Sequence, residues 1–472
     1  MRARVKAGIA TAVVGLAVAA ACAPAAQAER TTAGGPTPEQ AAELGRQAYV
    51  YGLPLLEFAR VRKEQTSVAC PTAAGNAPVN TFANAKHFPS PEDRTVVAPN
   101  TDTLYSISHL DLGHGPIVLG HPNMGKRYFS FQLLDPYTNV IDFVGSRTTG
   151  SKAGKFAIRW NEKKGNVPKG MPVIRSKYRR VWIIGRTLAT DEADQKAAYK
   201  KMKKYRLSRV NRKPKAFPKN CDPGPAGEYP VPTNGESFIN RLDRKLASNP
   251  PPKRDEPLLD RLATVGIGPG LSPEDAGLTP DALGALYDAV SDEAASFPTA
   301  TRLSVLQQAI ASGGWLIPKS DIGDYGTDYQ FRAQVSVIGL GANTPDEAIY
   351  PTGITDSSGA LLNGANDYRI TFPPGETPPA RYFWSLTVYD SNGFLAPNPI
   401  DRYSIGPSHP PLAERPDGSI VVVLSGDEPA DDDVNWLPTP DAGFRLNLRL
   451  YGPRKAALNG EWAPPPTVKV VP

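Results

Sequence analysis

Residues 444–451 read FRLNLRLY: Phe444, Leu446, Leu448 and Leu450 fall on one side, and Arg445, Asn447, Arg449 and Tyr451 on the other. Side chains alternate in this way along an extended strand, so the period of two predicts a strand with one core face and one wet face. Residues 381–389, RYFWSLTVY, repeat the pattern, setting Tyr382, Trp384, Leu386 and Val388 against Phe383, Ser385, Thr387 and Tyr389. Trp384 lies on the apolar side and is expected in the core. Residues 419–424, SIVVVL, form the continuous apolar run of a strand buried on both faces. Strands at this density predict a jelly roll over 326–472.

Working toward the N-terminus, short apolar runs at 117–119, 127–134, 140–144, 156–160 and 181–184 are divided by Gly, Pro and Asn. Most gaps are too short for the crossovers that parallel strands need, so an antiparallel sandwich is expected over 65–235. Thr37 and Pro38 open a helix over 38–64, with Leu44, Ala48, Tyr51, Leu55 and Phe58 on one stripe. Pro54 predicts a kink or break near Gly52. Helices are also expected at 190–205 and 236–247, separated by a proline-rich basic loop at 206–232. Thr279 caps another, with Leu283, Leu286, Tyr287 and Val290 inward; Leu303, Leu306 and Ile310 continue the stripe until Gly313-Gly314 stops it. Residues 236–325 therefore read as a small helical unit between two β domains. Hydrophobic residues at 40% and charged residues at 21% exclude a disordered chain or an integral membrane bundle.

The first 28 residues have the grammar of an export signal. Arg2, Arg4 and Lys6 precede an apolar stretch at 7–21, and Ala26-Gln27-Ala28 is a small-x-small cleavage site. Lipid anchoring at Cys22, which follows three alanines, competes with that cleavage. No later run is apolar enough for a transmembrane span, so the exported chain is expected to carry none. Cleavage leaves Cys70 and Cys221, an even pair in an oxidising compartment. One disulfide between them is expected, worth on the order of 5 kcal/mol for the long loop it closes; two unpaired thiols are the alternative.

Residues 152–219 hold 22 Lys/Arg against Glu162, Asp191, Glu192 and Asp194, a local net charge of +18 in a chain whose total is +6. Such a block suits an anionic polymer such as wall polymer or nucleic acid. It also suits an acidic surface of the same chain or of a second copy, or plain solvation.

The run from Val96 to Gly150, VVAPNTDTLYSISHLDLGHGPIVLGHPNMGKRYFSFQLLDPYTNVIDFVGSRTTG, resembles the domain-of-unknown-function family 1254. GLGANTPDEAIYP, then NDYRITFPPGETPPARYFWSLTVYDSNGFLAPNPIDRYSIG, NWLPTPDAGFRLNLRLYGP and GEWAPPP resemble family 1214, its usual C-terminal partner. The resemblance covers most of residues 46–472. It implies an immunoglobulin-like sandwich, a helical unit and a jelly-roll sandwich, and no agreed activity.

Catalytic signatures are sparse. G-x-S-x-G, S-x-x-K and H-E-x-x-H are absent, and Gly120 to Lys126 mimics a phosphate loop but continues with Arg127 between strands. No cofactor and no metal site are expected: His109, His114 and His121 are close in sequence and Asp111 could join them, but the chain has five His in all and these three are read as lying in loops, and the acidic run at 427–433 lacks a calcium-loop pattern. The better candidates lie in the family-like runs. Asn100, Asp102, Thr103 and Tyr105 enter one strand, Asp135 and Tyr137 end another, and Arg147 follows a turn. Asp102 or Asp135 could act as general acid or base with Arg147 stabilising negative charge, although Asn and Asp at turns commonly bond their own backbone. In the C-terminal domain Tyr389, Asp390, Asn392, Arg402, Asn435, Trp436, Arg449 and Tyr451 combine aromatic faces with polar rims, which suits a sugar ring. Two functions follow as expectations: an exported protein binding a glycan or anionic wall polymer, or an extracellular hydrolase or lyase using Asp102 and Asp135. Assembly into a homo-oligomer through the acidic and basic regions is a third.

Overall fold

The structure, a computed structural model, describes residues 35–94, 97–163, 165–407 and 411–470. The stretch read as an export signal, with Cys22 in it, lies outside the described residues. The molecule is mainly β with a helical insertion, and Pro36–Pro472 form a single unit. No described helix is long and apolar enough to cross a membrane.

The first sandwich uses β1 (Ala83–Asn84), β2 (Thr103–Asp111), β3 (Ile117–His121), β4 (Phe129–Leu134), β5 (Val140–Gly145), β6 (Gly154–Trp160), β7 (Val173–Ser176), β8 (Arg180–Leu188) and β9 (Arg206–Arg209). One sheet runs β1-β2-β8-β4-β5 and the other β7-β6-β3-β9. Their facing sides bury Leu104, Phe129, Phe131 and Ile183 against Ile117, Leu119, Ile158 and Leu207. The strand β9 falls within the stretch read as a loop; Leu207 is the inward residue that anchors it. The sandwich is not purely antiparallel, because β7 runs parallel to β6. The connection 161–172 is long enough to carry the chain back to the same end before it pairs.

Helices α1 (Pro38–Thr66), α2 (Glu192–Met202), α3 (Gly235–Ser248), α4 (Glu256–Ala263), α5 (Pro280–Ala311) and α6 (Tyr329–Ile338) follow the expected capping chemistry in most cases. Thr37 and Gln40 form a capping box on α1, and Thr279 caps α5. Helix α1 is continuous through Pro54. Gly52 is explained by packing instead of a break: a Cβ there would lie 2.8 Å from Leu242, and one on Gly45 would lie 2.7 Å from the carbonyl oxygen of Leu286. Both glycines let α3 and α5 approach α1 closely. The N-terminal helix, the 236–325 segment and α6 consequently share one core, through Tyr49, Leu53, Phe238, Leu242, Leu286 and Ala333. Leu303 and Ile310, expected inward, are 52% and 47% exposed; the buried stripe of α5 passes instead through Ala294, Phe297, Thr301 and Ala309.

The outer face of the β1-β2-β8-β4-β5 sheet is covered by this layer. Phe58 and Val61 of α1 pack on Ile107, Leu134, Trp182 and Ile184. Cys70 and Cys221 are joined, with Cα atoms 6.3 Å apart. The bond straps the proline-rich loop to the end of α1, where the Ala69 N–H donates to Pro223 O (2.9 Å) and Lys63 lies 3.8 Å over the Tyr229 ring.

The C-terminal sandwich uses β10 (Trp315–Leu316), β11 (Ala348–Ile349), β12 (Thr352–Gly353), β13 (Tyr368–Phe372), β14 (Ala380–Asp390), β15 (Ser404–Ile405), β16 (Ile420–Ser425), β17 (Asn435–Pro438), β18 (Phe444–Pro453) and β19 (Val468–Lys469). The sheet β10-β12-β18-β14-β15, with β11 on β18, faces β17-β16-β13-β19; again one pair, β16 and β17, is parallel. Trp384, Leu386, Leu446, Leu448 and Leu450 fill the space between them. The opposite faces of β14 and β18 are not wet. Ser385, Thr387, Tyr389, Arg449 and Tyr451 are all buried, because the first sandwich covers them.

Candidate functional site

Where β14 and β18 meet the start of β2, a closed polar seam joins the two sandwiches. The Asn100 side-chain oxygen accepts the backbone N–H groups of Asp102 (2.7 Å) and Thr103 (3.1 Å), and its amide donates to the Tyr451 hydroxyl (2.6 Å). Asp102, 1% exposed, accepts the Ser385 hydroxyl at 2.6 Å. Arg449 donates to Thr387 Oγ1 (2.7 Å), to the carbonyl of Ala98 (3.1 Å) and to the Tyr389 hydroxyl, which itself donates to Pro99 O (2.6 Å). Burial opposes the guanidinium charge, but Tyr389 and Asp102 outweigh it and hold Arg449 charged.

Further along the seam, Glu347 accepts the Tyr128 hydroxyl and Arg147 Nε, each at 2.6 Å, and Arg147 also reaches Asp346 at 2.5 Å. Arg186 lies 5.4 Å from the Tyr105 ring centre and donates to Gln132 (2.8 Å) and Asn343 (3.0 Å). Asn100, Asp102, Thr103, Tyr105, Arg147, Tyr389, Arg449 and Tyr451 are thus gathered at one interface, where their polar atoms mainly engage one another.

Asp135 is elsewhere. Thr103 pairs with Leu188 and Leu134 pairs with Trp182, so Asp102 and Asp135, one position beyond each, are separated by about eight residues along β8, roughly 26 Å. Carboxylates that act together on one bond sit roughly 5–9.5 Å apart, so this pair does not. Asp135 shapes a turn by accepting the N–H groups of Tyr137 (2.8 Å) and Asn139 (3.0 Å). Burial raises its pKa to about 6 against those hydrogen bonds. Tyr137 donates to Asn249 O (2.8 Å) and, with Tyr51 and Tyr329, surrounds the fully buried Arg332 at 5.0–5.5 Å. Sequence reading missed this cage, whose members come from three separate segments.

Between the sandwiches a cleft of about 600 Å³ is lined by Phe88, Gln195, Ile400, Arg402, Tyr403 and Trp436, among others, with Thr101 donating to Ser404 (2.9 Å) beneath. The polar groups expected to meet a sugar are already engaged. Arg402 donates to Trp436 O (3.0 Å), the Asn435 side chain bonds Ala413 and Val421, and the Trp436 N–H donates to Ser425 O (3.2 Å). Asp390 pairs with Arg94 (2.9 Å), and Asn392 is exposed on the turn after β14.

The basic segment forms a surface of its own. On the β7-β6-β3-β9 sheet, Ile174, Ile158, Ile117 and Leu207 point inward, so Arg175, Arg159, Lys155 and Arg206 share the outer face. Arg159 lies beside Arg175, while Lys155 and Arg206 flank Gly120, which places no side chain between them. The two rows are about 13 Å apart along the strands. Lys155, Arg175 and Arg206 are exposed, as are Lys200, Lys203 and Lys213 nearby in sequence.

Residues 79–209 match the family model "Protein of unknown function (DUF1254)", and residues 347–455 match "Protein of unknown function (DUF1214)"; the chain carries both in that order. The fold is similar to that of the VPA0106 protein from Vibrio parahaemolyticus, with a TM-score of 0.66 and 24% identity, covering 91% of this chain and 100% of that one. An uncharacterized protein from Burkholderia cenocepacia aligns at a TM-score of 0.44 and 14% identity over 92% of this chain and 94% of that one. No curated protein matches the chain.

Proposed function

We propose that the protein is exported and binds an anionic cell-wall polymer along the outer face of the β7-β6-β3-β9 sheet. The observation that carries this reading is the pair of basic rows, Arg159 with Arg175 and Lys155 with Arg206, on a sheet face within a segment of net charge +18. Cations held on a rigid sheet lose little freedom on meeting a polyanion, and their summed field attracts it from a distance. The disulfide supports an oxidising compartment. Retention on purified cell walls tests the reading: binding should fall steeply with added salt and fall again in a Lys155→Gln/Arg175→Gln/Arg206→Gln variant. Salt-independent retention, or retention equal in the variant, removes it.

A second reading places a neutral glycan in the interdomain cleft, where Phe88 and Tyr403 are half-buried and supply aromatic surface. Titration with wall-derived oligosaccharides, followed by tryptophan fluorescence, separates the two: a signal lost on Tyr403→Ala but untouched by salt belongs to the cleft.

A further inference from the structure

We infer that a single phosphate-type oxyanion is bound on the other side of the first sandwich, where the end of α1, the start of β8 and the end of α3 meet, by Arg62, Arg180 and Lys245. These residues come from three elements that the fold brings together: the C-terminal end of α1, the first position of β8 and the last turn of α3. Arg180 stands at the end of the same sheet face that buries Trp182 and His109, opposite Asp111. Among the described residues the Nε atoms of Arg62 and Arg180 are buried without a hydrogen-bond partner, and Arg180 Nη1 makes only a long 3.4 Å approach to Ser248 Oγ. Asp111 is the carboxylate close at hand, and it is already held in a two-pronged pair by Arg179 at 2.6 and 2.8 Å.

The cluster is therefore rich in half-buried positive charge. Burial lowers the proton affinity of Arg62, Arg180 and Lys245. Neighbouring cations lower it further: Arg180 and Arg179 act on Arg62 and Arg179 acts on Arg180, in both cases partly offset by Asp111, and Arg180, Arg62, Arg241 and Lys63 act on Lys245. Cations gathered in partial burial repel one another at real energetic cost, which an anion accepting their free N–H groups would offset. A guanidinium offers a planar fork and a lysine a mobile point charge, the combination that suits a tetrahedral oxyanion. The cystine strap steadies the surroundings: Arg241 donates to Pro230 O (2.7 Å), and Lys63 rests on Tyr229. Of Arg62, Arg180 and Lys245, only Arg180 lies within the basic segment, and it belongs to β8 in the other sheet, so the site stands whether or not the β7-β6-β3-β9 face binds a polymer.

Calorimetry with inorganic phosphate at low ionic strength tests the site in the full exported chain, with and without Lys245→Met or Arg180→Met. The wild type should take up one phosphate, and each variant should bind about tenfold more weakly, as expected for one charge-assisted hydrogen bond. In phosphate-free buffer Lys245→Met should raise Tm, because it relieves repulsion, and should abolish the phosphate-dependent rise in Tm. Lys155→Gln/Arg206→Gln should bind phosphate like the wild type. A parallel titration with a glycerophosphodiester distinguishes the source: equal binding assigns a phosphate within a chain, and binding of phosphate alone assigns the free anion. No saturable phosphate binding by the wild type, unchanged binding in both methionine variants, or a Tm lowered by Lys245→Met without phosphate would each overturn the inference.

Discussion

Replacing Arg449 by methionine tests whether the polar seam is structural. The change deletes bonds to Thr387, Ala98 and Tyr389 and removes a guanidinium that interacts electrostatically with Asp102, which is 1% exposed. Breaking one side of a buried charge arrangement costs about 3–5 kcal/mol. For a unit spanning Pro36–Pro472 the unfolding entropy is about 0.9 kcal/mol per kelvin, so Tm should fall by about 3–5 °C. Asp102→Leu alone should cost a similar amount, since it strands the guanidinium. The double variant should cost clearly less than the sum, because neither charge remains buried alone. Urea unfolding and calorimetry of all four proteins close the cycle. Additive losses, or single-variant losses under about 1 kcal/mol, would refute a coupled seam and return Asp102 to the pool of candidate reactive groups.

Removing the disulfide with Cys70→Ser/Cys221→Ser should lower stability by up to about 5 kcal/mol, about 5–6 °C in Tm, as read by calorimetry with the wild type under oxidising conditions. Asp243, 6% exposed, accepts the Gly268 N–H at 2.9 Å, and burial raises its pKa to about 7. A carboxyl raised in the folded state binds more protons there than in the unfolded chain, so its contribution is present below about pH 4 and is lost as pH rises toward 7. Asp243→Asn should thus stabilise the protein at pH 8 by on the order of 2 kcal/mol and flatten its stability between pH 4 and 7; an unchanged pH profile in urea melts would contradict this. Gly45→Ala should destabilise by about 2–3 kcal/mol, since its methyl group would meet the Leu286 carbonyl oxygen at 2.7 Å; a stability gain, as helix propensity alone predicts, would show that α1 and α5 are not tightly apposed.

The strands of both sandwiches were legible because their apolar positions alternate cleanly, and the cystine because removal of the expected export signal would leave one even pair of cysteines. What covers a strand was less legible. The polar faces of β14 and β18 satisfy the same alternation whether they meet water or another domain. Their composition held the missing signal: Ser385, Thr387, Tyr389, Asn447 and Tyr451 beside Arg445 and Arg449, with none of the Lys or Glu that a solvated face would carry. The exposed Leu303 and Ile310 show the converse, since a helical stripe does not reveal where its neighbours end. Candidate residues sorted by the same physics. Asn100 and Asp102 were marked by their turn and proved to face β14 and β18, whereas the Asp102 and Asp135 pairing failed because proximity in function was inferred without a register. The Arg62, Arg180 and Lys245 cluster had no linear signature at all.

The central claim, that the outer sheet face of the first sandwich holds a polyanion, is tested most directly by the salt dependence of binding to a defined poly(glycerol phosphate). Each cation engaged at the face contributes to the slope of log affinity against log salt concentration. Relative to the wild type, Lys155→Gln/Arg175→Gln/Arg206→Gln should flatten that slope by about 2, using roughly 0.7 per lost phosphate contact. An identical slope in the two proteins would contradict the account.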